Sequence, residues 1–229
     1  MPRLDKHLSK ATGIGKAELR RALAQGRVTV DGVQARDGAQ LINKFHKVQV
    51  DEETTQDNTP RYLMLHKPPG VVCATRDPQH KTVIDLLDQP WKRQLHIVGR
   101  LDYNSTGLVL LSNDGHWSRQ LSSPKASLVK RYLVTTEKPI GTECIAAFKA
   151  GFFFAYEGLT TRPAGLKILG ECTAEVELTE GRYHQIKRMF GRFDNKVLCI
   201  HRFAVGHYEL GTLEPGEAVE VPKDPLKPP

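Results

Sequence analysis

Residues 99–108 combine one carboxylate with a guanidinium, two aliphatic hydroxyls and two glycines. Asp102 follows Arg100 by two positions and precedes the turn-forming pair Ser105 and Thr106. A carboxylate in such a setting either takes part in chemistry or only organises the turn by accepting hydrogen bonds from nearby backbone N–H groups. The local pattern alone fits both interpretations.

Two apolar segments flank this turn and predict strands. Residues 96–98 read His-Ile-Val and residues 108–111 read Leu-Val-Leu-Leu, which is typical of extended, buried backbone. A side chain on a short turn between two buried strands is held more accurately than one on a long loop. The segment is therefore a favourable position for a catalytic group.

The order Arg-Leu-Asp, two residues, two hydroxyls and Gly-Leu resembles the active-site motif of RNA pseudouridine synthases. Three more segments resemble motifs of these enzymes in the same order: residues 65–73 (Leu-His-Lys-Pro-Pro-Gly-Val-Val-Cys), 130–134 (Lys-Arg-Tyr-Leu-Val) and 181–190 (Gly-Arg-Tyr-His-Gln-Ile-Lys-Arg-Met-Phe). One motif alone would be a weak signal, but four in order are specific. The resemblance covers residues 61 to about 222 and is greatest to the RsuA type, which modifies small-subunit ribosomal RNA.

The resemblance implies an isomerisation that breaks the C1′–N1 bond of a uridine, rotates the freed uracil and joins C5 to C1′. This reaction leaves the oxidation state unchanged and needs no group donor, so no cofactor and no metal is implied. Asp102 is expected to be the essential carboxylate, acting either on the sugar carbon or on a sugar proton. Lys187 is expected to pair with Asp102. Tyr132 is expected to stack on the target uracil, and its hydroxyl is a candidate for proton transfer at C5.

Four further residues are expected to contact the substrate. Arg100 is expected to fill the space that a flipped uridine leaves, because a planar guanidinium can stack on bases and bind a phosphate. The alternative for Arg100 is a surface arginine paired with a carboxylate. Ile186 is expected to pack against the pocket floor, and Thr106 to supply a hydroxyl. Lys67 is also assigned to substrate binding, although the Pro-Pro-Gly that follows it fixes a turn in which a lysine could be structural.

The first fifty residues have the pattern of a separate module. Apolar spacing predicts a helix beginning near Leu4 and a second one at residues 16–25, followed by a strand at 27–30 and a tight turn at 31–32. This pattern resembles the S4 RNA-binding domain, which would occupy residues 1–57. Six basic residues are then expected to bind RNA, with an ordinary solvated surface as the alternative: Arg3, Lys6, Lys16, Arg20, Arg21 and Arg27.

Residues 51–60 contain no hydrophobic side chain and predict a linker. Residues 61–229 would then be the catalytic domain. Strand and helix patterns mix there without regular alternation, which predicts an α+β domain with a large mixed, mostly antiparallel sheet. The predicted strands are residues 62–65, 71–73, 107–111, 132–135, 173–178 and 197–201, and the predicted helices are residues 83–87, 116–121, 142–150 and 183–193.

Charge and cysteine content indicate which kinds of partner and metal site to expect. The 229 residues include 33 Lys and Arg against 26 Asp and Glu, a formal net charge of +7, which favours an anionic partner. The four cysteines are far apart with no Cys-x-x-Cys pair, so no zinc site is expected. We recognise no leader sequence and no apolar run of membrane length, so we expect a cytoplasmic protein, and a monomer.

The resemblance implies pseudouridine synthesis at uridine 516 of 16S ribosomal RNA. Two alternatives remain open. One is the same chemistry on a large-subunit ribosomal site, and the other is a non-catalytic ribosome-assembly factor that binds RNA through its N-terminal module. The His-Gln-Ile-Lys form of residues 184–187 favours the small subunit. The presence of Asp102, Tyr132 and Lys187 together argues against a protein that only binds RNA.

Overall fold

The computed structural model describes residues 1–123 and 127–224 of the chain. The chain divides into two compact units, Met1–Pro60 and a second unit that begins at Arg61. The first unit has one hydrophobic core, and the second has a larger core and a smaller one.

The N-terminal unit consists of two helices and one sheet. Its elements are α1 (Leu4–Thr12), α2 (Lys16–Ala24), β1 (Val28–Val30), β2 (Val33–Gln34), β3 (Val48–Val50) and β4 (Glu53–Gln56). The sheet has the order β2-β1-β3-β4, with all neighbours antiparallel. Asp31 and Gly32 join β1 to β2 with φ angles of 51° and 79°, the two positive values that a type I′ hairpin turn requires.

The linker predicted at residues 51–60 is too long. Glu53–Gln56 form β4, which pairs with β3 at the edge of the sheet. Gln56 Nε2 also donates to the carbonyl oxygens of Asn43 and His46, both at 2.8 Å. An edge strand needs backbone partners along one side only, so a wholly polar segment can form one. The boundary between the units falls after Pro60.

The second unit is an α+β structure around a nine-stranded sheet. Its strands are β5 (Tyr62–Lys67), β6 (His96–Val98), β7 (Thr106–Ser112), β8 (Lys130–Thr136), β9 (Phe153–Phe154), β10 (Leu159–Thr160), β11 (Gly165–Gly170), β12 (Thr173–Leu178), β13 (Val197–Val205), β14 (Tyr208–Glu209) and β15 (Ala218–Glu220). Its helices are α3 (Gly115–Ser122), α4 (Glu143–Ala150) and α5 (Gln185–Gly191), and Lys92–Gln94 form a 3₁₀ turn. In the part of the chain that the structure describes, no helix has the length and apolarity to cross a lipid bilayer.

The large sheet has the order β11-β12-β8-β13-β7-β5-β15, with β14 beside β13 and β6 beside β7. Only the pair β13 and β7 is parallel among the described strands of this sheet, which confirms the mixed, mostly antiparallel prediction. Strands β9 and β10 form a separate hairpin.

Residues 108–111 of β7 are all apolar because the sheet is covered on both faces. Val109 and Leu111 belong to the larger core, which also contains side chains of α4 and α5. Leu108 and Leu110 belong to the smaller core on the other face, together with Trp117 of α3. The end of β7 that begins at Thr106 is therefore fixed from both sides.

Three predicted elements require correction. Residues 71–73 form an isolated bridge from Val72 to Thr82 rather than a strand, and residues 83–87 form turns rather than a helix. Both segments bury apolar side chains in the larger core, and buried turns give the same hydrophobic pattern as short regular elements. The helix predicted at residues 183–193 is shorter, because α5 spans Gln185–Gly191.

Candidate active site

Asp102 lies on the short connection between β6 and β7. Gly99 starts this connection with a φ of 82°, and a 3.1 Å hydrogen bond from Ser105 N to the carbonyl oxygen of Asp102 closes the turn. The two strands pair with each other, so the turn is mounted on a rigid framework. The Asp102 side chain keeps 34% of its surface exposed. A carboxylate held in this way is both positioned and accessible.

Lys67, the last residue of β5, holds this turn from inside the protein. Its side chain is fully buried, and Nζ donates to the carbonyl oxygens of Pro68 (3.0 Å), Tyr103 (2.9 Å) and Ser105 (2.7 Å). An ammonium has three N–H donors, and each has an acceptor here. Burial lowers the pKa of Lys67, and the charge of Asp102 acts in the opposite direction. The assignment of Lys67 to substrate binding is therefore corrected: it is a buried positioning residue.

Arg202 on β13 holds the other end of the turn. It is 2% exposed, and its guanidinium donates to the carbonyl oxygens of Leu108 (2.8 Å), Gly99 (2.8 Å) and Arg100 (3.4 Å). The strands approach so closely that a Cβ on Gly107 would overlap the Arg202 backbone. None of the sequence motifs predicted a role for Arg202. The available signal is an arginine within a largely apolar strand, because burying a charge is costly unless it has dedicated partners.

The start of α5 brings two basic side chains to the carboxylate. Lys187 Nζ and His184 Nε2 each lie 3.5 Å from Oδ2 of Asp102. The structure therefore contains the predicted ion pair of Lys187 with Asp102. His184 had no predicted role. It precedes α5 with a left-handed φ of 49°, a backbone conformation that its residue type does not reveal.

Tyr132 and Ile186 line a cavity of about 820 Å³ beside Asp102. Tyr132 on β8 is 7% exposed and Ile186 in α5 is 5% exposed, so both side chains are fixed by the larger core. Leu178 and Ile200 extend the apolar wall. An apolar wall beside a carboxylate can hold a flat, uncharged ring next to a reactive group.

Thr106 points away from this cavity. Its Oγ1 hydrogen-bonds Nδ1 of His201 at 2.9 Å, and the His201 ring meets that of His66 edge to face at 5.4 Å. Ser105 lines the cavity instead. The assignment of Thr106 to substrate binding is therefore corrected, because its hydroxyl is bonded to His201.

Arg100 is exposed at the edge of the cavity. Its guanidinium forms no hydrogen bond or ion pair with any described residue, so the alternative of a surface arginine paired with a carboxylate does not hold. Lys130 and Arg182 also line the cavity, and burial lowers the pKa of Lys130. The entrance is therefore basic, with at least one guanidinium available to a phosphate.

The six basic residues predicted to bind RNA lie in the N-terminal unit. Three of them form ion pairs with carboxylates of the same unit: Arg3, Arg21 and Arg27. The other three are exposed and form no ion pair with a described residue: Lys6, Lys16 and Arg20. Their contact with RNA stays a prediction.

Comparison with known proteins relates this geometry to a family. Residues 61–191 match the family described as RNA pseudouridylate synthase. The "Ribosomal small subunit pseudouridine synthase A" of Pseudomonas aeruginosa is 49% identical over 205 residues, or 89% of each chain. The protein of that name from Escherichia coli K12 is 41% identical over 217 residues, or 94% of each chain. A solved "Crystal structure of pseudouridylate synthase" superimposes with a TM-score of 0.70 at 36% identity, covering 97% of both chains.

A fold and a site of this kind define an RNA-modifying isomerase, and the chain belongs to the RNA pseudouridylate synthase family. It is an RNA pseudouridine synthase, as the four motifs predicted. The alternative of a non-catalytic assembly factor is therefore dropped.

Proposed function

We propose that this enzyme converts uridine 516 of 16S ribosomal RNA to pseudouridine, and that it works as a cytoplasmic monomer. The observation that carries the proposal is the Asp102 carboxylate at the cavity wall with Lys187 Nζ 3.5 Å away. The choice of RNA is supported by relatives whose names specify the ribosomal small subunit.

Asp102 is the reactive group in this proposal. Uracil departs with the electron pair of the C1′–N1 bond, while the carboxylate either adds to C1′ or removes a sugar proton. The uracil then turns within the cavity, and C5 bonds to C1′ as the carboxylate leaves C1′ in the first route or returns the proton to the sugar in the second. C5 loses its proton and N1 gains one, so the product is an isomer of the substrate. A primary isotope effect with deuterium at C2′ would distinguish proton removal from addition.

The residues around Asp102 hold the carboxylate and the base in place. The ammonium of Lys187 stabilises the negative charge on Asp102 in a partly desolvated site. The ring of Tyr132 stacks on the uracil, and its hydroxyl accompanies the proton that leaves C5. Ile186 closes the apolar floor, which prevents the detached uracil from escaping.

RNA recognition is divided between the two units. Arg100 takes the place of the flipped uridine in the base stack and binds a phosphate. The N-terminal unit acts as an S4-type module, using Lys6, Lys16 and Arg20 for phosphate contacts. This assignment is supported by the fold of the unit, which has two helices and a small antiparallel sheet, and by the exposure of these three basic side chains.

Mapping pseudouridines in ribosomal RNA from cells that lack the gene tests the proposal. We expect one pseudouridine to be lost, at uridine 516, and to be restored by the wild-type gene but not by Asp102→Asn. Asp88→Asn is the matched control, because Asp88 is an exposed carboxylate away from the cavity. Loss of a large-subunit pseudouridine instead would show that the substrate is large-subunit RNA rather than 16S RNA. An unchanged map would refute the proposal.

A further inference from the structure

Tyr183 is the most exposed of the tyrosines that line the active-site cavity. Its side chain is 75% exposed, against 45% for Tyr103 and 7% for Tyr132. The fold gains little from an aromatic ring that remains in solvent. An exposed aromatic ring at the entrance of a binding cavity is instead suited to contact a ligand.

The ring of Tyr183 stacks on His184, and His184 contacts the Asp102 carboxylate. His184 Nε2 lies 3.5 Å from Asp102 Oδ2. The Tyr183 and His184 rings are stacked, with centroids 3.9 Å apart and planes inclined by 19°. His184 therefore covers one face of Tyr183, and the high exposure of Tyr183 leaves the other face to solvent.

The backbone that presents this ring is held before any substrate arrives. Gln185 Oε1 accepts from Arg182 N at 3.0 Å, and Gln185 Nε2 donates to Glu180 at 2.9 Å. Arg182 is also paired with Glu180 at 3.0 Å, and Arg188 donates to the carbonyl oxygen of Tyr183 at 3.4 Å. A ligand that stacks on a preorganised ring does not have to order it first, which lowers the free-energy cost of binding.

We propose that the open face of Tyr183 is a second base subsite, which stacks on the nucleobase of a nucleotide flanking the target uridine. This inference rests on the proposed function, because it requires an RNA strand entering the cavity. Single-stranded nucleotides are commonly held by stacking of their bases on aromatic side chains. The target uracil would occupy the chamber at Tyr132, and its neighbour would lie outside on Tyr183.

The charges around Tyr183 fit a nucleotide better than an uncharged ring. Arg182 and Arg100 line the same cavity as Tyr183. Cations beside a stacking ring can bind the phosphate that joins two nucleotides. A ring with basic neighbours is the combination that single-stranded nucleic acid requires.

A double-mutant cycle, which combines a substitution in the protein with a change in the RNA, tests this subsite. Short RNAs spanning the target uridine would each carry one abasic site, scanned over the flanking positions. Tyr183→Ala is expected to lower kcat/KM by about tenfold on the intact RNA, mainly through KM. Tyr183→Phe is expected to retain activity, because it keeps the ring. At one flanking position the abasic site should lower the wild-type rate by a similar factor and leave Tyr183→Ala unaffected.

Tyr156→Ala is the matched control, because Tyr156 is 98% exposed and does not line the cavity. We expect it to behave as the wild type in every assay. Equal kcat/KM values for Tyr183→Ala and the wild type would overturn the subsite. So would a loss that is independent of every abasic position, because the ring would then act through His184 rather than on RNA.

Binding without turnover separates this inference from the proposed function. 2-Aminopurine placed at the flanking position in the same RNA should be quenched when wild-type protein binds, and much less by Tyr183→Ala. Quenching that depends on Tyr183 supports the subsite even if uridine 516 is not the target. Quenching that is equal for the two proteins overturns it even if the target is correct.

Discussion

Replacing Lys67 with methionine tests whether a buried cation positions the catalytic turn. Methionine fills a similar volume but cannot donate a hydrogen bond. The change therefore removes all three bonds from Nζ to the carbonyl oxygens of Pro68, Tyr103 and Ser105. The cavity wall itself is left intact, since Lys67 is fully buried and does not line the cavity.

The expected loss of stability follows from the burial of those three bonds. A buried acceptor without a partner costs about 1–3 kcal/mol. The bond to Ser105 is buried, whereas those to Pro68 and Tyr103 are partly buried, so water can replace some of what they lose. Removing an ammonium from the interior also recovers part of its desolvation cost. We therefore expect the free energy of unfolding to fall by about 3 kcal/mol.

Tryptophan fluorescence during urea unfolding measures this loss in the relevant unit. Both tryptophans, Trp91 and Trp117, lie in the second unit, so the N-terminal unit does not contribute to the signal. We expect Lys67→Met also to lower the single-turnover rate while RNA binding stays within a few-fold. Lys149→Met on the exposed side of α4 is the control. An unchanged urea midpoint together with an unchanged rate would refute the positioning role.

Three further changes address the remaining charges. Lys187→Met should lower the single-turnover rate by about tenfold with little change in KM. The reason is that an ion pair 3.5 Å apart and about one third exposed contributes between about 1 kcal/mol in water and about 5 kcal/mol at an effective dielectric of 20. An unaltered rate would show that the pairing does not contribute to catalysis. Arg100→Ala should slow the conversion of folded RNA more than the conversion of a short unstructured RNA, and Arg100→Lys should restore the rate in part. Equal losses of rate on both RNAs would exclude a role in base extrusion. Changing Lys6, Lys16 and Arg20 to glutamine should weaken binding and reduce the salt dependence of the binding constant, whereas an unchanged salt slope would show that these residues do not contact phosphates.

The sequence predicted which residues belong to the site better than it predicted the contacts that their side chains make. The four motifs placed Asp102, Tyr132 and Lys187 in one site, and the structure brings Asp102 and Lys187 within 3.5 Å. Thr106 looked available to substrate because the sequence does not show that its hydroxyl bonds to His201 on a distant strand. Lys67 looked available to substrate because its burial depends on the strands around it.

Polar and apolar patterns misled the assignment of elements for one physical reason. Backbone hydrogen bonds, which decide whether a segment is a strand or a turn, do not depend on side-chain polarity. The polar Glu53–Gln56 pair with β3 as an edge strand, whereas the apolar residues 71–73 and 83–87 are buried in turns and irregular backbone.

Sheet order explains how motifs far apart in sequence form one site. Tyr132 lies on β8, Arg202 on β13, Asp102 on the turn before β7, and Lys67 at the end of β5. These strands are consecutive neighbours in the order β8-β13-β7-β5. The parallel pairing of β13 with β7 sets Arg202 opposite Gly107, which places the Arg202 guanidinium against the carbonyl groups of the turn. Strand order is a long-range property that no local pattern encodes, so a buried cation such as Arg202 becomes recognisable as part of the site only when the neighbouring strands are known.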